Sequence, residues 1–461
     1  MKLIAVILIM LPFIVLATPE EDLAKVKAAL EQLKKDNPQV KKWDGVSLKH
    51  FGAESNGTEG LGLELSNTQT LSNSRNPLGV YFKKTFFDKL KIVNISALKG
   101  MPLKRLSLFG TYVSDITALR GMPLEMLYLG NTKIRDIKAL HGMPLIYLSI
   151  YSTEISEISS LKGMQLKSLE SENTKIRDIS VLEGMPLIYL NLGRTKVRDI
   201  SALKGPLLKQ LRLPETEVRN ISSLKGMSLR LLDLSFTEVQ DISVLKGMDL
   251  HFLDLSNTKV QDVSVLKGMK LYNLILHNTK VKDISILGGM NLNHLNLSDT
   301  KVQNVSVLKG MKLNYLNLSN TKVTEIVALK GLPLKYLHLN NTTVRDISSL
   351  KGMPLKLLYL ENTLIWDIRV LRGMPLSRLN INNTNVSDIS ALKGMPLRQL
   401  HLGNTEVSNI NVLKGMPLVL LSIPESIKGI EFLHSIKTLY KINGKKVKEF
   451  WKEYDEKTPM N

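Results

Sequence analysis

The residues of this chain with the right chemistry to ligate a metal are four histidines, His277, His294, His338 and His401. Two carboxylate pairs, Glu170 with Glu172 and Asp233 with Asp254, could serve acid–base work. Spacing decides against both. His277 falls at the end of one short strand motif and His294 near the start of the next, about 13 Å apart along the strand direction. His338 and His401 share a column but stand three repeats apart, on the order of 14 Å. Metal bonds of about 2 Å cannot close either gap. The carboxylate pairs read as solvated side chains without a cleft. No GxSxG, HExxH or Walker loop occurs. No nucleophile stands beside an oriented base, so the chain reads as no enzyme, with no cofactor and no metal.

The elements that must position these side chains repeat. Gly100 to Arg120 reads GMPLKRLSLFGTYVSDITALR, and glycine recurs every 21 residues from Gly100 to Gly415 without insertion or deletion. A fixed period of this length marks a solenoid. Leu103, Leu106 and Leu108 alternate with Arg105, Ser107 and Phe109, the period of a short strand with one face buried. Val113, Ile116 and Leu119 follow at three-residue spacing, which suits a turn or 3-10 segment. Asp115, Asp136, Asp178, Asp199 and Asp241 open this return arm, where a carboxylate accepts the amide two residues on. The corner glycine allows positive φ or close approach of neighbouring coils. Fourteen of the 18 methionines directly follow it, which makes them deformable core fillers rather than a metal array.

The pattern LxxLxLxxTxVxDIxxLxGMP resembles bacterial leucine-rich repeats of the short, internalin-like class over roughly Phe82 to Ile423. The resemblance implies an α/β solenoid with a parallel sheet on the concave face and turns or 3-10 segments on the convex face. Parallel crossovers make it right-handed, and the regular array should run roughly 75 to 80 Å. One departure stands out. The family places Asn at the ninth motif position, whereas here Thr fills it in every unit from Thr111 to Thr405. A hydroxyl both donates and accepts, so threonine can do similar work at shorter reach. The preceding residue is often Asn, as at Asn131, Asn173, Asn257 and Asn320, and shares the task. Ser171 occupies a core leucine position with no evident reason.

The ends depart from the repeat. Residues 1–17 read as a secretory signal, with Lys2, an apolar segment and a small-residue cleavage site at Ala17. Residues 18–60 form an N-terminal helical cap built on an amphipathic helix from Glu20 to Lys35. Residues 61–81 are a degenerate entry repeat and loop, residues 82–430 the array, and residues 431–461 a C-terminal cap. That last cap comprises a strand, a turn at Asn443-Gly444, and a helix with Val447, Phe450, Trp451 and Tyr454 on one face. Its run INGKKVKEFWKEYDEK resembles the closing segment of certain bacterial leucine-rich-repeat proteins. The expected location is exported, whether secreted, cell-surface or periplasmic, with no stable transmembrane segment once the signal is removed. With no cysteine, the chain can form no disulfide.

Function is then sought at the variable positions that point outward from the sheet. They hold Tyr128, Tyr147, Tyr151, Tyr189, Arg212, Phe252, His294, Tyr315, Tyr336, His338, Tyr359, Arg378 and His401, side chains of the types that anchor protein interfaces. A protein partner on this face is the expectation. Lys or Arg also precedes the corner glycine in 13 of 16 units, among them Lys309, Lys330, Lys351, Arg372 and Lys393. With 62 basic against 42 acidic residues, a net charge of +20, this stripe suits an anionic glycan or envelope polymer before nucleic acid.

Overall fold

The structure is a computed structural model and describes residues 15–16, 21–40, 46–51, 60–65, 74–75, 81–82 and 92–457. It divides into two units, residues 1–239 and 240–461.

In the first unit the repeat produces three-residue strands from Arg105–Ser107 to Leu231–Asp233, each parallel to the next. The register sets Leu106 beside Leu127 and Leu127 beside Leu148, so each inward leucine stacks on its equivalent. The strand is short because the chain turns sharply after its last leucine. At Asn131, Asn173 and Arg194 the backbone takes φ of 55°. That left-handed conformation is one Asn tolerates better than most residues, which explains its recurrence there. The threonine that follows acts within its own repeat: the Thr132 hydroxyl donates to the Leu129 carbonyl at 2.6 Å. It takes up a carbonyl at the strand's end, while the Asn position carries the turn.

The return arm begins at the expected aspartate. Asp115 Oδ1 accepts the Thr117 amide at 2.8 Å and Asp178 Oδ1 the Ser180 amide at 2.8 Å. Single 3-10 turns such as Thr117–Leu119 and Ser180–Leu182 follow, burying Leu119 and Leu182. Of the two roles open to the corner glycine, the structure selects backbone conformation. Gly121 has φ of 71°, and a Cβ there would meet nothing within 4 Å. Leu103, Leu106, Leu108, Val113, Ile116, Leu119 and Met122 close around the repeat as its core. Ser171 finds its reason here, since its hydroxyl and amide both reach the Asn191 carbonyl at 2.9 Å.

One repeat breaks the rule. Gly205-Pro206-Leu207-Leu208 stands where Gly-Met-Pro-Leu is usual, and the 3-10 turn expected at 201–203 is replaced by a plain turn. Without the methionine, a cavity of about 200 Å³ opens between residues that include Met185, Leu203, Leu208 and Met227, and Leu207 is 53% exposed.

Ahead of the array, helix α1 (Glu21–Asp36) covers the predicted span, with Ala29 and Leu33 buried. Asn37, just past its end, is fully buried. Its amide donates to the carbonyls of Leu33 and Asn94 at 2.8 Å, and its oxygen accepts the amides of Val93 and Asn94. Strand Gly60–Leu65 pairs antiparallel with Val46–Phe51 and with Val15–Leu16. Residues 1–14 and 17 of the signal reading, and residues 83–91 at the start of the array, lie outside the described residues. Among the described residues, no helix is long and apolar enough to cross a membrane.

The second unit repeats the design from Phe252–Asp254 to Leu420–Ser422, again with every strand parallel to the next. Asn side chains at the left-handed position link neighbouring repeats. Asn278 donates to Asn257 at 2.7 Å, and Asn341 to Asn320 at 2.6 Å. Lys441–Ile442 adds in parallel to the last repeat strand and, through a turn at Asn443-Gly444, pairs antiparallel with Lys445–Lys446. Helix α2 (Val447–Lys457) follows. Trp451 is buried and stacks on His434 with ring centroids 3.8 Å apart. The predicted apolar face thus covers the last coil.

Candidate binding faces of the two units

Side chains two apart on a strand share a face, so the third, fifth and seventh motif positions of each repeat stand together on the sheet. In the second unit they build a row of rings. His294 pairs in register with Tyr315, and Tyr315 with Tyr336; in the adjacent column Asn317 is followed by His338 and Tyr359. The His294 imidazole lies on the Tyr315 ring with centroids 4.0 Å apart and planes at 4°. Tyr315 meets Tyr336 at 6.4 Å and His338 at 5.4 Å, and His338 meets Tyr359 edge-on at 5.0 Å. These rings are partly exposed, with Tyr336 the most open at 38%. Phe252 and His401 are likewise half-buried, and Arg378 is exposed.

Partial burial, with no compensating charge, lowers the pKa of His294 and His338 below the ordinary imidazole value of 6.5. His401 shifts the same way for the same reason, opposed by the carboxylate of Glu361. The rings are therefore neutral at neutral pH. From Asn273 to His338 the outward positions contain no Lys, Arg, Asp or Glu, in a chain of net charge +20. They are rings, Asn amides, Ser hydroxyls and the aliphatic side chain of Ile275. The spacing argument against a metal has its structural counterpart. His338, Tyr359, Asn380 and His401 succeed one another in a single column, so two side chains intervene between the histidines.

The first unit differs from its reading. Tyr147 is fully buried, and Tyr128 and Tyr189 retain only 6% and 8% exposure, so these three are not open surface anchors. Tyr151 is partly exposed, and its ring occupies the space where a Cβ on Gly130 would stand. Arg212 approaches Asp233 at 3.5 Å. Asp233, read as solvated, is 7% exposed and accepts the Ser235 amide and hydroxyl. Glu170 is also not a solvated carboxylate. It lies half-buried among the tyrosines, and burial holds it above the usual carboxyl pKa. The sequence clue was the run of tyrosines at equivalent positions on either side of strand Ser168–Glu170, which encloses a carboxylate as readily as it lines an open face.

On the turn side, Lys309, Lys330, Lys351, Arg372 and Lys393 are all exposed at the ends of their 3-10 turns.

No family model matches the sequence, and no curated protein matches it. Among solved structures, an internalin (InlF) from Listeria monocytogenes is similar at 23% identity, covering 77% of this chain and 90% of its own, with a TM-score of 0.52. A leucine-rich-repeat protein of Leptospira interrogans is similar at 23% identity, covering 76% and 91%, also with a TM-score of 0.52. The stacked parallel strands, the single 3-10 turns and these structural neighbours together establish the fold as a leucine-rich-repeat solenoid, similar to those of these two bacterial proteins.

Proposed function

We propose that this protein is an exported, non-catalytic scaffold that recognises a protein partner through its sheet face. The recognition surface is the row His294, Tyr315, Tyr336, His338 and Tyr359, flanked by Phe252, Arg378 and His401. The observation that carries this reading is the set of ring contacts from His294 to Tyr359. Mutual packing holds the rings in place while leaving them partly exposed, so little side-chain entropy is lost when a partner covers them. Rings and amides without charge suit an interface core, from which charged residues are depleted. Export rests on the apolar N-terminal segment of the sequence.

A second reading has its own observation. The exposed basic side chains Lys309, Lys330, Lys351, Arg372 and Lys393 recur at one strand spacing each, which suits an anionic polymer.

Crosslinking capture from envelope extracts, run with the wild-type chain, Y315A/Y336A/Y359A and K309E/K330E/K351E, separates the two. Sheet-face recognition predicts capture of a discrete protein that the tyrosine variant loses and that raised salt barely affects. Capture that survives the tyrosine variant overturns this surface. Loss confined to the charge-reversed variant, with steep salt dependence, establishes the polymer reading instead.

A further inference from the structure

One corner of the second unit departs from the repeat in a way that neither reading uses. Position 288 belongs to the column that carries Lys or Arg in 13 of 16 units, and it is the only one of the sixteen that is glycine. The backbone does not require this. Gly288 has φ of −56° and ψ of 127°, against −53° and 120° at Lys246 and −54° and 126° at Lys309. What the missing side chain leaves is space. A recess of about 470 Å³ opens between two neighbouring corners, over Met269 and Met290 and beside His251, Lys270, Tyr272 and Asn291. Its volume lies within the roughly 300 to 1,000 Å³ of small-molecule sites.

The lining offers two kinds of surface. Met269 and Met290, each 6% exposed, make an apolar floor, and Tyr272 beside them is a ring left 49% exposed. The Tyr272 amide donates to the His251 carbonyl at 2.9 Å, so these two residues stand on adjacent coils. His251 Nδ1 lies 3.1 Å from the Asp249 carbonyl, which can only accept. That nitrogen therefore carries the hydrogen, and Nε2 of the neutral ring is left as an acceptor. Lys270 and Asn291 hold the corner position that is proline in nine of the 16 units. The lysine supplies donors, and the asparagine amide supplies both donors and an acceptor. Lys270 is the one formally charged side chain of the lining.

We infer that this recess binds a sugar ring, packed on Tyr272 and the methionine floor and hydrogen-bonded by Lys270, Asn291 and His251. A pyranose matches both surfaces. The C–H groups of one ring face lie against the phenol ring and the thioethers, while hydroxyls, which donate and accept, satisfy all three polar side chains. A simple anion would meet the lone pairs of His251 Nε2 and the Asn291 oxygen with lone pairs of its own. A purely apolar group would strip water from Lys270 and return nothing. Two sources share the sugar chemistry: a free monosaccharide, and the terminal residue of a glycan.

The test is NMR titration of the full chain with glucose, galactose, mannose, N-acetylglucosamine and glucuronate, following the tyrosine ring signals. The expected result is saturable binding of at least one sugar, with shifts in the Tyr272 ring. Equal affinity for the methyl glycoside of that sugar assigns a glycan terminus, and its loss assigns a free monosaccharide. Binding of glucuronate alone, lost in K270Q, assigns an acidic sugar. Y272A truncates an exposed ring on which folding does not depend, and should weaken binding about tenfold or more. G288K should abolish binding by refilling the recess. Its Cβ would stand 3.0 Å from Val307 Cγ2, and the chain already pairs lysine with the equivalent valine at Lys225 and Val244 and at Lys246 and Val265. An unchanged melting temperature in G288K shows that the corner accepts the lysine. Failure of every sugar to saturate, or unchanged affinity in Y272A or in G288K, overturns the proposal. Neither variant alters the ring row or the exposed basic side chains, so the outcome is independent of both readings above.

Discussion

The imidazole of His294 lies flat on the phenol ring of Tyr315, 4.0 Å between centroids and 4° between planes. Burial keeps that imidazole neutral, as it does His338 and His401. The groups facing them are Asn273 and Tyr315 for His294, Tyr315, Asn317 and Tyr359 for His338, and Asn380 and Ser422 for His401, where the Glu361 carboxylate opposes the effect of burial.

The first prediction is a pH dependence of stability. The folded pKa of each histidine lies below 6.5, so between the two values the unfolded chain binds more protons. The histidines' contribution is complete above pH 6.5 and is lost as pH falls through that value towards the folded pKa. The melting temperature should therefore decline on acidification from neutrality, well before the carboxylates titrate. H294N/H338N should flatten that decline. An equally steep slope in the double variant would show that other groups cause it.

The second prediction concerns Asn37. N37A leaves the Leu33 and Asn94 carbonyls and the Val93 and Asn94 amides without the partner that joins α1 to the array, at a cost of about 3 kcal/mol. Hydrogen exchange should show α1 losing protection first, with the Leu33 amide near the base rate. N37D keeps the two accepted bonds and should fall between. Unchanged protection of α1 in N37A would place its anchorage in Ala29 and Leu33 alone.

The repeat core, the 3-10 turns, the aspartate caps and both helices are legible in the sequence because each is a local rule written many times. Leu106 or Asp178 needs nothing beyond its neighbours and period to be placed. Asn37 is not legible, because it stands outside the repeat and its partners Val93 and Asn94 lie more than fifty residues away. The outward positions were read as one continuous exposed face, and here periodicity fails. It gives the side on which Tyr147 and Tyr315 stand, but the neighbours decide that one is buried and the other half-open. Threonine at the ninth position does bond the backbone at the turn, and the preceding residue shares the task through its left-handed dihedral, which residue type only hints at.

The third prediction addresses the irregular repeat at Gly205. P206M/L207P restores the usual sequence, fills the cavity beside Met185 and Met227, and removes an exposed leucine. A gain of about 1 kcal/mol is expected, within the range of cavity-filling changes. Chemical denaturation monitored for the first unit checks it. A loss of stability would mean that the Gly205 backbone, at φ of 105° rather than the 70° to 77° of the other corners, is incompatible with the regular turn.

The fourth prediction uses substitutions the chain has already made. The carboxylates of Asp241, Asp262 and Asp283 are lowered below their ordinary pKa of 3.8, chiefly by the amide each accepts from two residues on. Their contribution is present above pH 3.8 and is lost as pH falls towards the folded value. Asn220 and Asn304 accept the same amide, at 2.9 Å and 2.8 Å, without a charge. D262N should therefore hold the turn at neutral pH and reduce the fall in stability on acidification, whereas D262A should lose the turn at every pH. Melting curves of the two variants at pH 7 and below pH 3.8 separate the hydrogen bond from the charge. If D262N proves as unstable as D262A at neutral pH, the charge is the stabilising element, and the asparagines at 220 and 304 mark weak repeats rather than equivalent ones.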